Sequence, residues 1–138
     1  MDASYIVKEF KGSDPAFEQY KALVLATWLR GLKHGSSFFQ DVDSKTLFAV
    51  YSKVITSLLR RPECTIKIAV LTDAHDVAIG WSASEGTVLH YIFVRPQGRK
   101  QGIGRSLMPK KVEVITHLTK TGKSLWKKKL EHAKFNPF

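Results

Sequence analysis

The stretch Val94-Arg95-Pro96-Gln97-Gly98-Arg99-Lys100-Gln101-Gly102-Ile103-Gly104-Arg105-Ser106-Leu107 decides how the rest of the chain is read. The almost wholly apolar run 88–94 leads into it, as expected of a strand covered on both faces. Glycines at 98, 102 and 104 permit backbone angles and close approaches that a side chain would block. A helix starts near Gly102, so its unpaired amides and its dipole face the turn and favour an anion. Arg99, Lys100 and Arg105 add positive charge. Residues 94–106 therefore read as a phosphate-cradling turn between a strand and a helix.

The glycine spacing excludes two common phosphate loops. A nucleotide-triphosphate loop starting at Gly98 needs Gly at 103, where Ile103 stands. A dinucleotide loop starting at Gly102 needs Gly at 107, where Leu107 stands.

Working outward, Pro109 must cut the helix short or kink it. Residues 112–118 then read as a strand, 123–132 as a helix and 135–138 as a short extended tail. Upstream, 65–72 and 77–83 read as strands joined by a turn at 73–76, with a tight hairpin signal at Glu85–Gly86. Residues 5–10 form a first strand. Asp14 and Pro15 start a helix that is expected to run to Trp28 or Leu29, near Gly31. Residues 31–40 read as a loop. A second helix is capped by Asp43 or Ser44. It carries one apolar stripe of Leu47, Phe48, Tyr51, Val54, Ile55, Leu58 and Leu59, and stops at Arg60–Arg61 before Pro62. The order predicts an α+β (mixed α/β) domain over residues 1–138, with one central sheet flanked by helices.

The charge is one-sided. Residues 1–94 hold ten Lys/Arg and ten Asp/Glu, whereas 95–138 hold twelve Lys/Arg and two Asp/Glu, so the later third carries the whole net charge of +10. Such a field attracts polyanions, with solvated lysines at 127–129 accounting for part of it. The single cysteine, Cys64, rules out an internal disulfide and a multi-cysteine metal site, and reads as a small buried hydrophobe. No metal site is expected. The N-terminus lacks a secretory pattern and no apolar run reaches bilayer length, so a cytoplasmic protein with no membrane partner is expected.

Arg99, Gly102 and Gly104 satisfy Arg/Gln-x-x-Gly-x-Gly/Ala. This resembles the pyrophosphate-binding motif of the GNAT superfamily, the acetyl-CoA-dependent N-acetyltransferases. Leu89-x-x-Ile92-x-Val94 followed by Pro96 is similar to the family's central strand, and two helices between the first two strands match its element order. The resemblance covers nearly the whole chain. It implies a mostly antiparallel GNAT-like sheet and acetyl-CoA, or another acyl-CoA, as cofactor. Backbone groups at Phe93, Val94 and Arg95 would meet the pantetheine arm, which lies between strands 88–94 and 112–118. Amides and side chains of Arg99, Lys100, Gln101, Gly102, Ile103, Gly104 and Arg105 would hold the pyrophosphate.

The family commonly removes the amine's proton with a Glu or a water and protonates the leaving thiolate with a Tyr. This sequence departs from both. The central strand offers His90 and Tyr91. The next offers Glu113, Thr116 and His117, and Trp126 stands where a Tyr is expected. His90 and His117 are candidate bases because histidine titrates near neutrality, and each equally reads as a structural strand histidine. Tyr91 is a candidate acid or a core aromatic. Trp28, Arg30, Phe38 and Phe39 fall where the family walls its acceptor site, and read more simply as core and staple residues. The acceptor stays open: a small amine, a protein or a nucleic acid.

The pattern, including the Thr116-His117-Leu118-Thr119 strand end and the terminal Asn136-Pro137-Phe138, is also similar to short acetyltransferase-like proteins of tailed bacteriophages, for which the compartment is the host cytoplasm. Some GNAT-like phage proteins, the Mom family, modify adenine in DNA. A DNA-modifying or nucleic-acid-binding protein and a non-catalytic binding module are therefore alternatives to the acyltransferase. A short C-terminal strand leaves an edge that a second copy would complete, so a homodimer is a further expectation.

Overall fold

A computed structural model describes residues 4–35, 43–96, 102–115 and 134–135 of the chain. The elements are β1 (Tyr5–Phe10), a 3-10 turn (Pro15–Phe17), α1 (Glu18–Gly35), α2 (Ser44–Leu59), β2 (Cys64–Leu71), β3 (Ala74–Glu85), β4 (Val88–Val94), α3 (Ile103–Leu107), β5 (Val114–Ile115) and β6 (Lys134–Phe135). The strands form one sheet in the order β1-β2-β3-β4-β5-β6. The first three pairings are antiparallel, and β4–β5 and β5–β6 are parallel. The sheet is therefore mostly antiparallel and flanked by helices, as expected.

Alternation in β2 shows how the two faces are filled. Cys64, Ile66, Ile68 and Val70 point to one side, where they join Tyr20, Val24 and Trp28 of α1 and Leu47, Ile55, Leu58 and Leu59 of α2. Ala69 points to the other side, where Ile79, Leu89 and Ile92 meet Ile103 and Leu107 of α3. Asp43 caps α2, its side chain accepting from the Thr46 amide at 3.1 Å. The stripe of α2 is narrower than the sequence suggests. Phe48 and Val54 are 46% and 44% exposed. The buried line runs 47, 55, 58 and 59 with Tyr51 partly covered.

Several boundaries differ from the sequence reading: β3 runs on to Glu85, β5 begins at Val114 rather than 112, and a 3-10 turn precedes α1. The turn between β2 and β3 is Thr72–Asp73, and β3 already begins at Ala74. More consequentially, α1 continues through Gly31 to Gly35 where a loop is expected at 31–40. The part of that loop at 36–40 lies outside the described residues. Gly31 is a packing residue rather than a terminator. A Cβ there would collide with the Tyr91 hydroxyl and stand 3.0 Å from its ring carbon Cζ. The Tyr91 ring cannot swing aside, because Trp28 and Trp81 each lie 5.2 Å from it with planes 24° apart. Trp81 is itself tied to α1: its Nε1 donates to Thr27 Oγ1 at 2.7 Å, and that hydroxyl donates to Leu23 O at 2.7 Å.

The collision gives a measurable expectation. Gly31→Ala lowers unfolding stability in urea by about 1–3 kcal/mol, the usual cost of overpacking a well-filled core. Combining it with Tyr91→Phe recovers part of that loss. A Gly31→Ala protein as stable as wild type would show that the ring is not clamped.

Candidate functional site

The site is built around β4. Its register with β3 runs Gly80↔Val94, Trp81↔Phe93, Ser82↔Ile92 and Ala83↔Tyr91, then slips so that Ser84 faces Leu89. His90 is the extra residue of this bulge. The bulge turns His90 towards Glu85, whose Oε1 lies 2.8 Å from His90 Nε2. Glu85 pairs across the sheet with Cys64, which belongs to the core beneath α1 and α2. His90 and Tyr91 thus serve the same face of the sheet. Arg61, just after α2, reaches the same Glu85 oxygen at 3.2 Å.

His90 is 4% exposed. Burial pushes its imidazole below the ordinary histidine range, and the Arg61 charge acts in the same direction. The Glu85 hydrogen bond and charge work against that lowering. Burial dominates, so the ring is neutral at pH 7 and has a lone pair with which to accept a proton. Tyr91 sits in the ring cluster with its hydroxyl against Gly31, and burial raises it above the ordinary tyrosine range. Cys64 is buried, and its thiol is pushed up to about 12, first by burial, so it is not a thiolate nucleophile.

At the far end of β4, Phe93 packs on the α1–α2 side and Val94 on the α3 side. The Arg95 amide donates to Ile79 O at 2.8 Å, continuing the β3 contact. Arg95 Nε is buried and makes no hydrogen bond. Gly102 caps α3 in the left-handed region (φ 78°), and its carbonyl accepts from the Ser106 amide at 3.1 Å. Ile103 and Leu107 anchor α3 on the sheet, and Ser82 Oγ donates to Leu107 O at 2.6 Å. Arg105 is exposed. The helix ends at Met108, extended ahead of Pro109 as the proline requires.

The two glycines of α3 are there for different reasons. Gly102 needs its positive φ, although a Cβ there would meet nothing within 4 Å among the described residues. Gly104 has no such backbone demand, and among the described residues a Cβ on it would touch Val94 Cγ2, at an ordinary 3.8 Å. Among the described residues, packing does not call for glycine at 104.

β5 joins β4 through Val88↔Val114 and Leu89↔Ile115, at the start of β4. Arg99, Lys100, Gln101 and His117 lie outside the described residues, as do Thr116, Trp126, Phe38 and Phe39. Glu113, just before β5, is exposed and bonded to Thr87 and Lys111. Trp28 is a core residue and Arg30 is exposed. Glu85 and Arg61 are site residues that the sequence reading missed. Glu85 carried a faint signal, being five positions before His90 across a hairpin turn. Arg61 carried none.

No protein-family model matches the sequence, and no curated protein matches it in sequence. Solved structures do match. A Pyrococcus furiosus protein designated an acetyl transferase is similar over 96% of this chain and 80% of its own, with a TM-score of 0.53 and 15% identity. The fold is that of the GNAT acetyltransferases. Apo-form YjaB from Escherichia coli is similar over 75% of this chain, with a TM-score of 0.48 and 17% identity, and this chain spans 61% of its length. The aminoglycoside N-acetyltransferase AAC(6′)-Iy, in complex with CoA, is similar over 99% of this chain and 77% of its own, with a TM-score of 0.44 and 13% identity.

The two glycines respond differently to alanine. Gly102→Ala lowers unfolding stability by about 1–2 kcal/mol, the penalty of the left-handed region for a residue with a Cβ. Gly104→Ala leaves stability unchanged or raises it by up to about 1 kcal/mol, since alanine is the better helix former. Urea unfolding followed by tryptophan fluorescence separates the two. Equal losses at both positions would mean that Gly104 is structural after all.

Proposed function

We propose that the chain is an acyl-CoA-dependent N-acyltransferase. The observation that carries this reading is Gly104. Among the described residues it is a glycine without a packing reason, in the first turn of the helix that follows the central strand of a GNAT-type fold. The residues present fit the cofactor. Phe93, Val94 and Arg95 would hold the pantetheine arm with their backbone groups. Gly102, Ile103, Gly104 and Arg105, with Arg99, Lys100 and Gln101 of the same turn, would hold the pyrophosphate. The buried, unbonded Arg95 Nε is a further donor at this end of the strand. A bound acyl-CoA supplies its acyl group as a thioester: the amine nitrogen bonds to the carbonyl carbon, the carbon–sulfur bond breaks, and the proton lost by the amine passes through a base so that the thiol leaves protonated.

His90 is the described residue best suited to be that base, because it is neutral and sits at the bulge of the central strand. His117, on the neighbouring strand of the sequence reading, is the alternative. Tyr91 supports the site by holding α1 against β4, since its raised affinity for its own proton makes it a poor acid.

Isothermal titration calorimetry tests the reading. Acetyl-CoA and CoA bind the folded protein, and Gly104→Ala weakens binding about tenfold, roughly 1.4 kcal/mol, without loss of stability. A folded protein that gives no heat with either ligand at high micromolar concentration would sink it.

A second reading concerns the acceptor, and a concavity of about 430 Å³ favours it. Ser52, Lys53, Thr56, Ser57, Arg60 and Arg61 line it at the end of α2. Cations and hydroxyls without a carboxylate suit a phosphate backbone, as does the basic C-terminal third, so a nucleic acid is the acceptor or partner favoured here. Fluorescence anisotropy with a short DNA, duplex or single-stranded, should show binding that weakens steeply with salt. No binding even at low salt would remove this reading and leave the acyltransferase reading standing.

A further inference from the structure

In the candidate site a polar arrangement runs from the surface inward, and the reading above gives its middle member, Glu85, no role. A single oxygen, Glu85 Oε1, lies 2.8 Å from His90 Nε2 and 3.2 Å from Arg61 NH1. The three groups form a path from solvent to interior: Arg61 is largely exposed, Glu85 mostly covered and His90 buried. Among the described residues, Glu85 on β3 and Arg61 after α2 are charged groups that act on His90. Cys64, across from Glu85 on β2, keeps its proton, and so does Tyr91 beside it on β4. A carboxylate can only accept, so its bond to Nε2 places the ring hydrogen on Nε2 and the lone pair on Nδ1. Arg61 draws on the same oxygen and weakens its hold on the ring.

We propose that Glu85 is the positioning residue for His90 in acyl transfer, and that Arg61 opposes it by sharing Glu85 Oε1. Glu85 holds the tautomer in which Nδ1 takes the proton from the attacking amine, and steadies the imidazolium that results. The logic is that of a carboxylate orienting a histidine base, here supplied across a hairpin bulge and moderated by an exposed arginine. This rests on the acyltransferase reading.

The two partners act in opposite directions, and that is the signature to look for. A base works when unprotonated, so kcat/KM rises with pH through the pKa of His90. Glu85→Gln removes the charge that favours the imidazolium, and moves that acid limb about one unit lower in pH. Arg61→Gln removes a disfavouring charge, and moves the limb higher. Glu85→Asp keeps the carboxylate and stays closer to wild type than Glu85→Gln. Lys45→Gln, an exposed cation elsewhere on α2, moves nothing.

The imidazole carbon-bound proton of His90, followed by NMR in the unliganded protein, titrates with the same two opposite displacements and needs no reaction. Opposite displacements in both NMR and the pH profile support the proposal. The same direction for both variants, or no displacement in NMR, overturns it. Displacements in NMR that the pH profile does not follow show that Glu85 and Arg61 tune His90 without serving the reaction, which also overturns it. If wild type binds acetyl-CoA yet acylates no amine, the acyltransferase reading fails first and the catalytic role of Glu85 with it, whereas the NMR result separates that outcome from an error about the pair itself.

Discussion

The Tyr91 hydroxyl rests in the notch that Gly31 leaves on α1, and the arrangement of the site depends on that contact. A helix carrying any side chain at that position could not approach β4 as closely. Trp28 and Trp81 complete the clamp, and Trp81 is bonded to Thr27 on α1. Aromatic groups of this size contribute large buried area together with a preferred geometry, so α1 is held both against the sheet and in one orientation. Because Tyr91 and its neighbour His90 share a bulge, fixing Tyr91 also fixes the direction in which His90 leaves the strand.

β4 is the member common to both halves of the molecule. One face joins the aromatic core under α1 and α2. The other, through Leu89, Ile92 and Val94, meets α3. The strand therefore delivers a histidine at its bulge and the start of the candidate phosphate turn at its end, with the spacing between them set by a rigid extended segment. Placement on such an element is what a site needs, since its geometry does not depend on the loop settling into place. The charge follows the same division. The balanced N-terminal part builds the core under α1 and α2, and the basic part begins where β4 ends.

Much of this was legible along the chain. β1 and β4 fall where alternation and apolar runs place them, α2 begins at its Asp cap and stops before Pro62, and α3 is short because of Pro109. These are local effects, written in neighbouring residues. The end of α1 was not legible, because glycine ordinarily marks a helix terminus and only a ring from a strand sixty residues away shows why it is tolerated inside one. The stripe of α2 was read too wide for a related reason: apolar character at Phe48 and Val54 does not say which way they face.

The candidate site divides along the same line. Sequence alone pointed to a candidate phosphate turn, with its glycines, its charges and the histidine on the preceding strand, since backbone freedom, helix amides and residue type are properties of a short segment. Tertiary structure alone decided that Gly102 and Gly104 have different duties, and that His90 meets Glu85 and Arg61. The first requires knowing what a Cβ would touch. The second requires the one-residue slip between β3 and β4 that brings a histidine, a hairpin carboxylate and a residue from after α2 onto one oxygen. Register and long-range contact are set by packing across the whole sheet, and no local pattern encodes them.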